Sequence, residues 1–232
     1  KYQGSILGYL WSLLNPLLTF VILYIVFHYF IRFQIDYYPL FLFLGIILWG
    51  FFNEGTFNAL TSLYVKASIM KKIAFPRTVI VVASNLTTFL GLLLNFLVFL
   101  LFALLSDLPF HFSFFLSIFF FIPLIFFTLG VSFLVAALNL RFTDIQHIWR
   151  ILLQLFFWMT PVVYPLTMIP LKFRSLIYFN PLASLLEGLR NLFLHNEISY
   201  FFFFISLGTS LFVFLLGFII YKRMSMQFAE WA

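Results

Sequence analysis

The stretch YVKASIMKKIAFPRT, Tyr64 to Thr78, is the most cationic run in an otherwise apolar chain. It holds Lys66, Lys71, Lys72 and Arg77, four of the 13 basic residues, and no acid accompanies them. Apolar runs too long for a soluble core flank it on both sides, so these charges belong on one face of a bilayer. By the positive-inside rule that face is the cytoplasmic one. Between Val65 and Phe75 the apolar residues Ile69, Met70 and Ile73 recur at helical spacing, and Pro76 ends the pattern. The spacing predicts a short helix across a cytoplasmic turn. Such a turn is either a basic membrane anchor or the handle by which a soluble partner grips a membrane protein.

Composition agrees with this reading. Hydrophobic residues make up 64% of the 232, aromatics 23% and charged residues only 9%, against about 25% charged in soluble domains. The apolar runs are continuous over about 20 residues, the length of a spanning helix, whereas a β-barrel alternates within segments half as long. The class is therefore a polytopic all-α membrane protein. Its net charge of +6 belongs to a membrane face and gives no reason to expect nucleic acid. The absence of cysteine excludes disulfides, thiolate metal sites and thiol nucleophiles. The chain begins at Lys1 rather than Met, so a preceding segment is expected.

Six spans are expected. Pro16 opens the first, which runs to about Phe33. The second covers Pro39 to Tyr64, the third Val79 to Leu105, and the fourth Phe112 to Leu138 with a kink at Pro123 and Gly130. The fifth runs from Ile148 to Tyr164 and the sixth from Tyr200 to Tyr221, where Lys222 and Arg223 stop it. Between the last two, Leu166 to Glu197 is long and mostly apolar but broken by Pro170 and by Asn180 and Pro181. Each half is too short to span, so the segment reads as a broken re-entrant hairpin dipping into the outer leaflet. Asn180 is placed as the N-cap of its second helix and Pro181 at the first helical position, with Glu187 and Arg190 one turn apart. With the basic turn inside, Lys1, Lys66, Lys71, Lys72, Arg77, Arg141, Arg150, Lys222 and Arg223 are cytoplasmic, and Arg32, Lys172, Arg174 and Arg190 are outside. That asymmetry places both termini in the cytoplasm. No linker or internal repeat divides residues 1–232, which form one domain.

Few residues suggest chemistry. His28, His111, His147 and His195 are scattered, with no pair one helical turn apart, and no GxxxxGK[ST] phosphate loop occurs. Uphill transport would need an ATPase on another chain. Glu54 is the one acid well inside an apolar span, and it is either a functional group or pairs with a polar neighbour among Asn53, Thr56 and Asn58. Asp144, near Arg141 and Arg150, reads as a salt bridge or helix cap. Tyr9, Trp11, Trp49, Trp158 and Tyr164 are either interfacial belt residues or the lining of a channel. Aromatic ring faces stack on the apolar C–H surfaces of sugars, which suits a long sliding substrate.

Four stretches together resemble the transmembrane subunit of ABC exporters for cell-surface polysaccharides, the family of O-antigen, capsule and teichoic acid permeases. They are YQGSILGYLWSLLNPLL (Tyr2 to Leu18), IMKKIAFPRTVI (Ile69 to Ile80), FTDIQHIWRILLQLFFWMTPVVYP (Phe142 to Pro165) and NPLASLLEGLRNLFL (Asn180 to Leu194). The resemblance covers nearly the whole chain, with two departures. The family's amphipathic N-terminal interface helix falls mostly before Lys1, and Phe142 and Thr143 stand where the family often has a more polar, basic pair. The resemblance implies a permease rather than an enzyme, with no catalytic, metal or cofactor site of its own. It implies a homodimer joined to two nucleotide-binding subunits, which hold the ATP and Mg. The coupling helix then corresponds to Val65 to Ala74, with Lys66, Ser68, Ile69, Met70, Lys71, Lys72 and Ile73 meeting the ATPase. A lumen lined by the first, second and fifth spans makes Tyr9, Trp11, Trp49, Glu54, Trp158 and Tyr164 lining candidates. The implied cargo is an undecaprenyl-pyrophosphate-linked polysaccharide crossing the bacterial inner membrane, with Lys1, Arg141 and Arg150 as candidates for its pyrophosphate or for lipid headgroups. Export of teichoic acid, capsule, or a lipid or drug by the same architecture is the alternative. An intramembrane enzyme on lipid-linked sugars is disfavoured by the scattered acids and histidines, and a proton-coupled carrier by the lack of a repeat.

Overall fold

A computed structural model describes residues 10–65, 76–106, 108 and 112–225. Among these residues all regular structure is helical: α1 (Leu10–Tyr24), α2 (Tyr38–Val65), α3 (Thr78–Leu105), α4 (Ser117–Arg141), α5 (Ile145–Met159), α6 (Leu171–Tyr178), α7 (Pro181–Leu194) and α8 (Tyr200–Ser225). A π-helical turn, Ile25–Phe30, extends α1, and 3₁₀ turns Phe112–Leu116 and Leu166–Met168 precede α4 and α6. The coupling helix expected between Val65 and Ala74 falls on residues 66–75, outside the described ones.

Among the described residues five helices are long and apolar enough to cross a membrane: Trp11–Phe30, Tyr38–Leu63, Thr78–Leu105, Phe114–Arg141 and Tyr200–Ser225. The fifth expected span differs. Its helix, α5, has 15 residues, a length of about 22 Å at 1.5 Å per residue, which is short of the ~30 Å hydrocarbon core. It stops at Met159 because Pro161 cannot continue it, and the chain turns irregularly through Pro161 to Tyr164.

At the centre lies α2, which packs against α1, α3, α4, α5 and α7. Nearly every residue from Tyr38 to Phe52 is buried, which is why this stretch is apolar on all sides rather than along one stripe. In the opposite half α2 turns polar, and its polar groups meet partners on other helices. Trp149 Nε1 donates to Thr56 Oγ1 at 3.2 Å, and Asn139 Nδ2 donates to the Leu60 carbonyl at 2.9 Å. On α3 and α4, Asn85 Nδ2 donates to Ser132 Oγ at 3.1 Å. Side-chain hydrogen bonds of this kind contribute about 0.6 kcal/mol each inside a bilayer.

Pro16 does not open α1 but lies inside it. A proline has no N–H, so the carbonyl four residues earlier, that of Ser12, has no helical donor from it. Asn95 of α3 fills the gap, its Nδ2 reaching the Ser12 carbonyl at 3.1 Å. The proline thus creates the docking point that fixes α1 on α3. Arg77 joins two other elements: its Nη1 donates at 2.8 Å to the carbonyl of Ser225, the last residue of α8. A guanidinium there satisfies an orphan acceptor and opposes the negative end of the helix dipole.

Helices α4 and α8 cross with their backbones in direct contact. Gly130 serves it rather than merely loosening α4: a Cβ there would lie 2.5 Å from Phe214 Cα, and one on Gly217 would overlap the Gly130 carbonyl. Backbones touch at this point, as small residues allow when lipid gives no hydrophobic drive to association. The Phe133 ring then packs on Phe218 and Tyr221, with centroids 5.5 and 5.0 Å away. Gly208, also on α8, faces open space. We expect Gly217→Leu to lower stability in detergent by well over the ~1–3 kcal/mol typical of overpacking, while Gly208→Leu leaves it unchanged. Thermal unfolding followed by size-exclusion chromatography checks both, and equal behaviour of the two variants would refute the crossing.

Candidate functional site

The irregular chain after α5 has carbonyls that no helix satisfies, and Arg190 of α7 takes them. Its side chain is only 2% exposed. Nη1 donates to the Pro161 carbonyl at 2.6 Å and Nη2 to the Val162 carbonyl at 2.7 Å. Nη2 also approaches the Phe41 carbonyl of α2 at 3.3 Å, and the guanidinium carbon lies 3.4 Å from the Phe41 ring centroid. Burial pulls Arg190 down to about 9, with Glu187 opposing, so it is still a cation at neutral pH. Burial pushes the Glu187 carboxyl up, and Arg190 counters that. Gly45 makes room for the assembly: a Cβ there would stand 2.6 Å from the Val162 carbonyl oxygen and 3.0 Å from Nη2. The neighbouring groups are satisfied too. Tyr38 OH donates to the Val163 carbonyl at 3.2 Å, and Asn180 Nδ2 donates to Thr160 Oγ1 at 3.0 Å. Asn180 caps α7 by accepting from the Leu182 amide at 3.1 Å, with Pro181 first in the helix, as the sequence predicts.

Two cavities flank α2 nearer its other end. The first, about 530 Å³, lies between α1, α2 and α3 and is lined by Trp11, Asn15, Glu54, Asn58, Thr88 and Asn95 among others. Glu54 Oε1 accepts from Asn58 Nδ2 at 3.4 Å, and the same amide donates to Thr88 Oγ1 at 3.3 Å. Both are long for N–H···O bonds. The second cavity, about 480 Å³, lies between α2 and α5 and is lined by Trp49, Asn53, Phe57, Arg150, Leu153, Gln154 and Phe157. Its guanidinium, that of Arg150, stands 5.6 Å from the Phe57 ring centroid. Asn53 and Phe57 border both cavities.

The lining candidates therefore divide. Trp11 and Glu54 meet in the first cavity, while Trp49 joins Arg150 in the second. Trp158 is 51% exposed next to Phe157, and Tyr164 OH donates to its carbonyl at 2.6 Å. Arg141 is exposed over the Phe142 ring, with its guanidinium 5.2 Å from the centroid. Asp144 sits at the N-cap of α5, yet its side chain makes no capping bond. Lys1, Tyr9, Lys66, Ser68, Ile69, Met70, Lys71, Lys72 and Ile73 lie outside the described residues. Two features escape a reading of the chain in order. One is the polar wall that Asn15, Thr88 and Asn95 add to Glu54 from other helices. The other is the burial of Arg190, which the sequence places one turn from Glu187 and counts among the outer bases.

Arg190→Met removes the donors of two buried carbonyls, each worth about 1–3 kcal/mol when unsatisfied. Thermal unfolding in detergent should show a loss of ~3 kcal/mol, and Arg190→Lys should recover less than half because an ammonium is not a planar fork. A methionine variant as stable as the parent would disprove the anchor.

A family model for the ABC-2 type transporter matches residues 1–194. Two curated relatives from Klebsiella pneumoniae, each named "O-antigen export system permease protein RfbA", are 35% and 34% identical over 235 residues, covering 99% of this chain and 89% of theirs. A protein of the same name from Myxococcus xanthus is 33% identical over 203 residues, covering 85% of this chain and 77% of its own. With apolar helices of spanning length, a match over most of its residues and full-length similarity to permeases, the chain belongs to the ABC-2 type transporter family of membrane proteins.

Proposed function

We propose that this chain is the membrane-spanning subunit of an ATP-driven exporter that carries undecaprenyl-pyrophosphate-linked polysaccharide, O-antigen, across the bacterial inner membrane. The observation that carries this reading is similarity to O-antigen export permeases over 99% of the chain. The subunit works as a homodimer with two separate ATPase subunits, which bind the ATP and Mg, and it needs no cofactor itself. Both termini and the basic turn face the cytoplasm, α5 and its irregular continuation form the fifth of six passes, and α6 with α7 forms the re-entrant hairpin in the outer leaflet.

Residues 66–75 meet the ATPase in this reading, and closure of the ATPase moves the ends of α2 and α3 that the turn joins. Arg77 would pass that movement to α8 through its bond to the Ser225 carbonyl. In the second cavity, Arg150 beside Trp49 and Phe157 combines a fork for phosphate oxygens with aromatic faces for sugar rings. Exposed Trp158, further along α5, extends those faces toward the exit.

Full-length tagged protein from its native membrane should co-purify with a stoichiometric chain bearing a Walker A motif, as mass spectrometry would show. Lys71→Glu with Lys72→Glu should cut that recovery, or uncouple hydrolysis from export, by about tenfold while insertion stays normal. Export at the parent level would sink the coupling assignment. Trp158→Ala should reduce glycan export several-fold more than it reduces dimer recovery; equal losses would make this tryptophan a packing residue only.

A further inference from the structure

We infer that one face of α5, together with Asn53 of α2, is a hydrogen-bonding track along which a hydroxyl-rich chain slides. The face is set by periodicity. At about 100° per residue, α5 divides into three sectors. Trp149 and Leu153 are its buried residues, and Trp149 meets α2 through Thr56 and the Phe52 ring. Ile148, Ile151, Leu155 and Met159, between 49% and 61% exposed, make a second sector, whose neighbours are acyl chains. Between the two, Gln146, Arg150 and Gln154 recur at every fourth position.

This third sector borders water rather than lipid. Arg150 and Gln154 are exposed, and so is Asn53, although α2 is buried almost throughout from Tyr38 to Phe52. Among the described residues the side-chain amides of Asn53, Gln146 and Gln154 have no hydrogen bond. Hydrocarbon strongly disfavours amides in that condition. Asn53, Arg150 and Gln154 share one groove of about 480 Å³, so the two helices present their free amides to the same space.

The chemistry fits a polyhydroxylated ligand. A carboxamide donates and accepts, as a hydroxyl does, and a guanidinium adds further donors. Gln146, Arg150 and Gln154 are spaced about 6 Å apart along the helix axis, each on the surface rather than in a closed pocket. Contacts of similar strength at regular intervals hold a polymer in successive registers without stopping it. Trp158, one turn beyond Gln154 and 51% exposed, continues the track with a ring face for the C–H side of sugars.

The identity of the polymer rests on the exporter reading; the wet face does not, and the experiment separates them. The chain has no cysteine, so each replacement carries a lone thiol. Asn53→Cys, Gln154→Cys, Ile151→Cys and Leu155→Cys are prepared in the full-length protein, with any partner that co-purifies, in lipid nanodiscs. They are labelled with the charged reagent 2-sulfonatoethyl methanethiosulfonate. The first two thiols should react about tenfold faster than the others, because the thiolate is the nucleophile and lipid keeps a thiol neutral. Maltoheptaose should slow labelling of the first two several-fold, whereas polyethylene glycol of the same size, which lacks the ring hydroxyls, leaves it unchanged. Asn53→Leu with Gln154→Leu removes amides that hold nothing in the fold, so thermal stability should stay at the parent's value while glycan export falls several-fold.

Equal labelling of the two sectors would overturn the wet face, and so would oxidative cross-linking of two Gln154→Cys copies, which would make this sector a contact between protomers. Equal protection by both polymers, or full export by a stable double leucine variant, would overturn the track. Export by the parent alongside any of these failures leaves the exporter reading intact. Selective protection by maltoheptaose in a protein that pairs with no ATPase keeps the track and removes the exporter.

Discussion

The far end of this bundle depends on one cation that has no water. Arg190 sits between the Pro161 and Val162 carbonyls on one side and the Phe41 ring on the other. Between Thr160 and Pro170 the chain is largely non-helical, and in a bilayer each unsatisfied carbonyl there would cost several kcal/mol. A guanidinium is the one side chain that can supply a planar, permanently charged set of donors to several such acceptors at once. Its own desolvation is unfavourable, and the three carbonyls together with the aromatic face offset it. The rest of the hairpin follows from this anchor. Gly45 must be small for the turn to seat on α2, and Tyr38 and Asn180 hold its flanks.

The same rule, that every backbone polar group needs a partner, organises the other end. Pro16 leaves the Ser12 carbonyl open, and Asn95 takes it. Ser225 ends α8, and Arg77 takes its carbonyl. Where no polar group is involved, helices associate by backbone proximity instead, as Gly130 and Gly217 show. Dispersion between atoms in direct contact is the force left when the surroundings are as apolar as the protein. These joints tie α1 to α3, Arg77 to α8 and α4 to α8, while α2 packs against α1, α3, α4, α5 and α7.

How much of this was legible in the sequence follows from the range of each interaction. Spans two, three, four and six were readable because hydropathy is local, and so was the Asn180 and Pro181 helix start, whose signal lies within two residues. The first boundary misled because a proline inside a helix resembles one at its start until the Ser12 carbonyl it leaves open is seen to be taken by Asn95, 83 residues after Ser12. The fifth span was legible only in part: its helix ends at Met159, because Pro161 and Pro165 bracket apolar residues whose hydropathy is high but whose backbone cannot stay helical. Glu54 stood out as an acid in an apolar run, but Thr88 and Asn95 beside it were invisible because pairing across helices leaves no trace in spacing. Arg190 was read as an outer base one turn from Glu187, and its burial against the turn after α5 could not be read from α7 alone, because its acceptors lie 28 and 29 residues earlier.

Placing the two cavities side by side on α2 gives them different electrical characters. Asn53 and Phe57 border both, yet one wall carries Glu54 and the other Arg150. Because Asn53 and Phe57 belong to both linings, the two cavities are separated by a single layer of α2 side chains, and poorly screened charges on either side act across it. Glu54 and Arg150 therefore set the electrostatics of both cavities jointly, and a change at either residue, or at the shared Asn53 and Phe57, is felt on both faces of α2 at once.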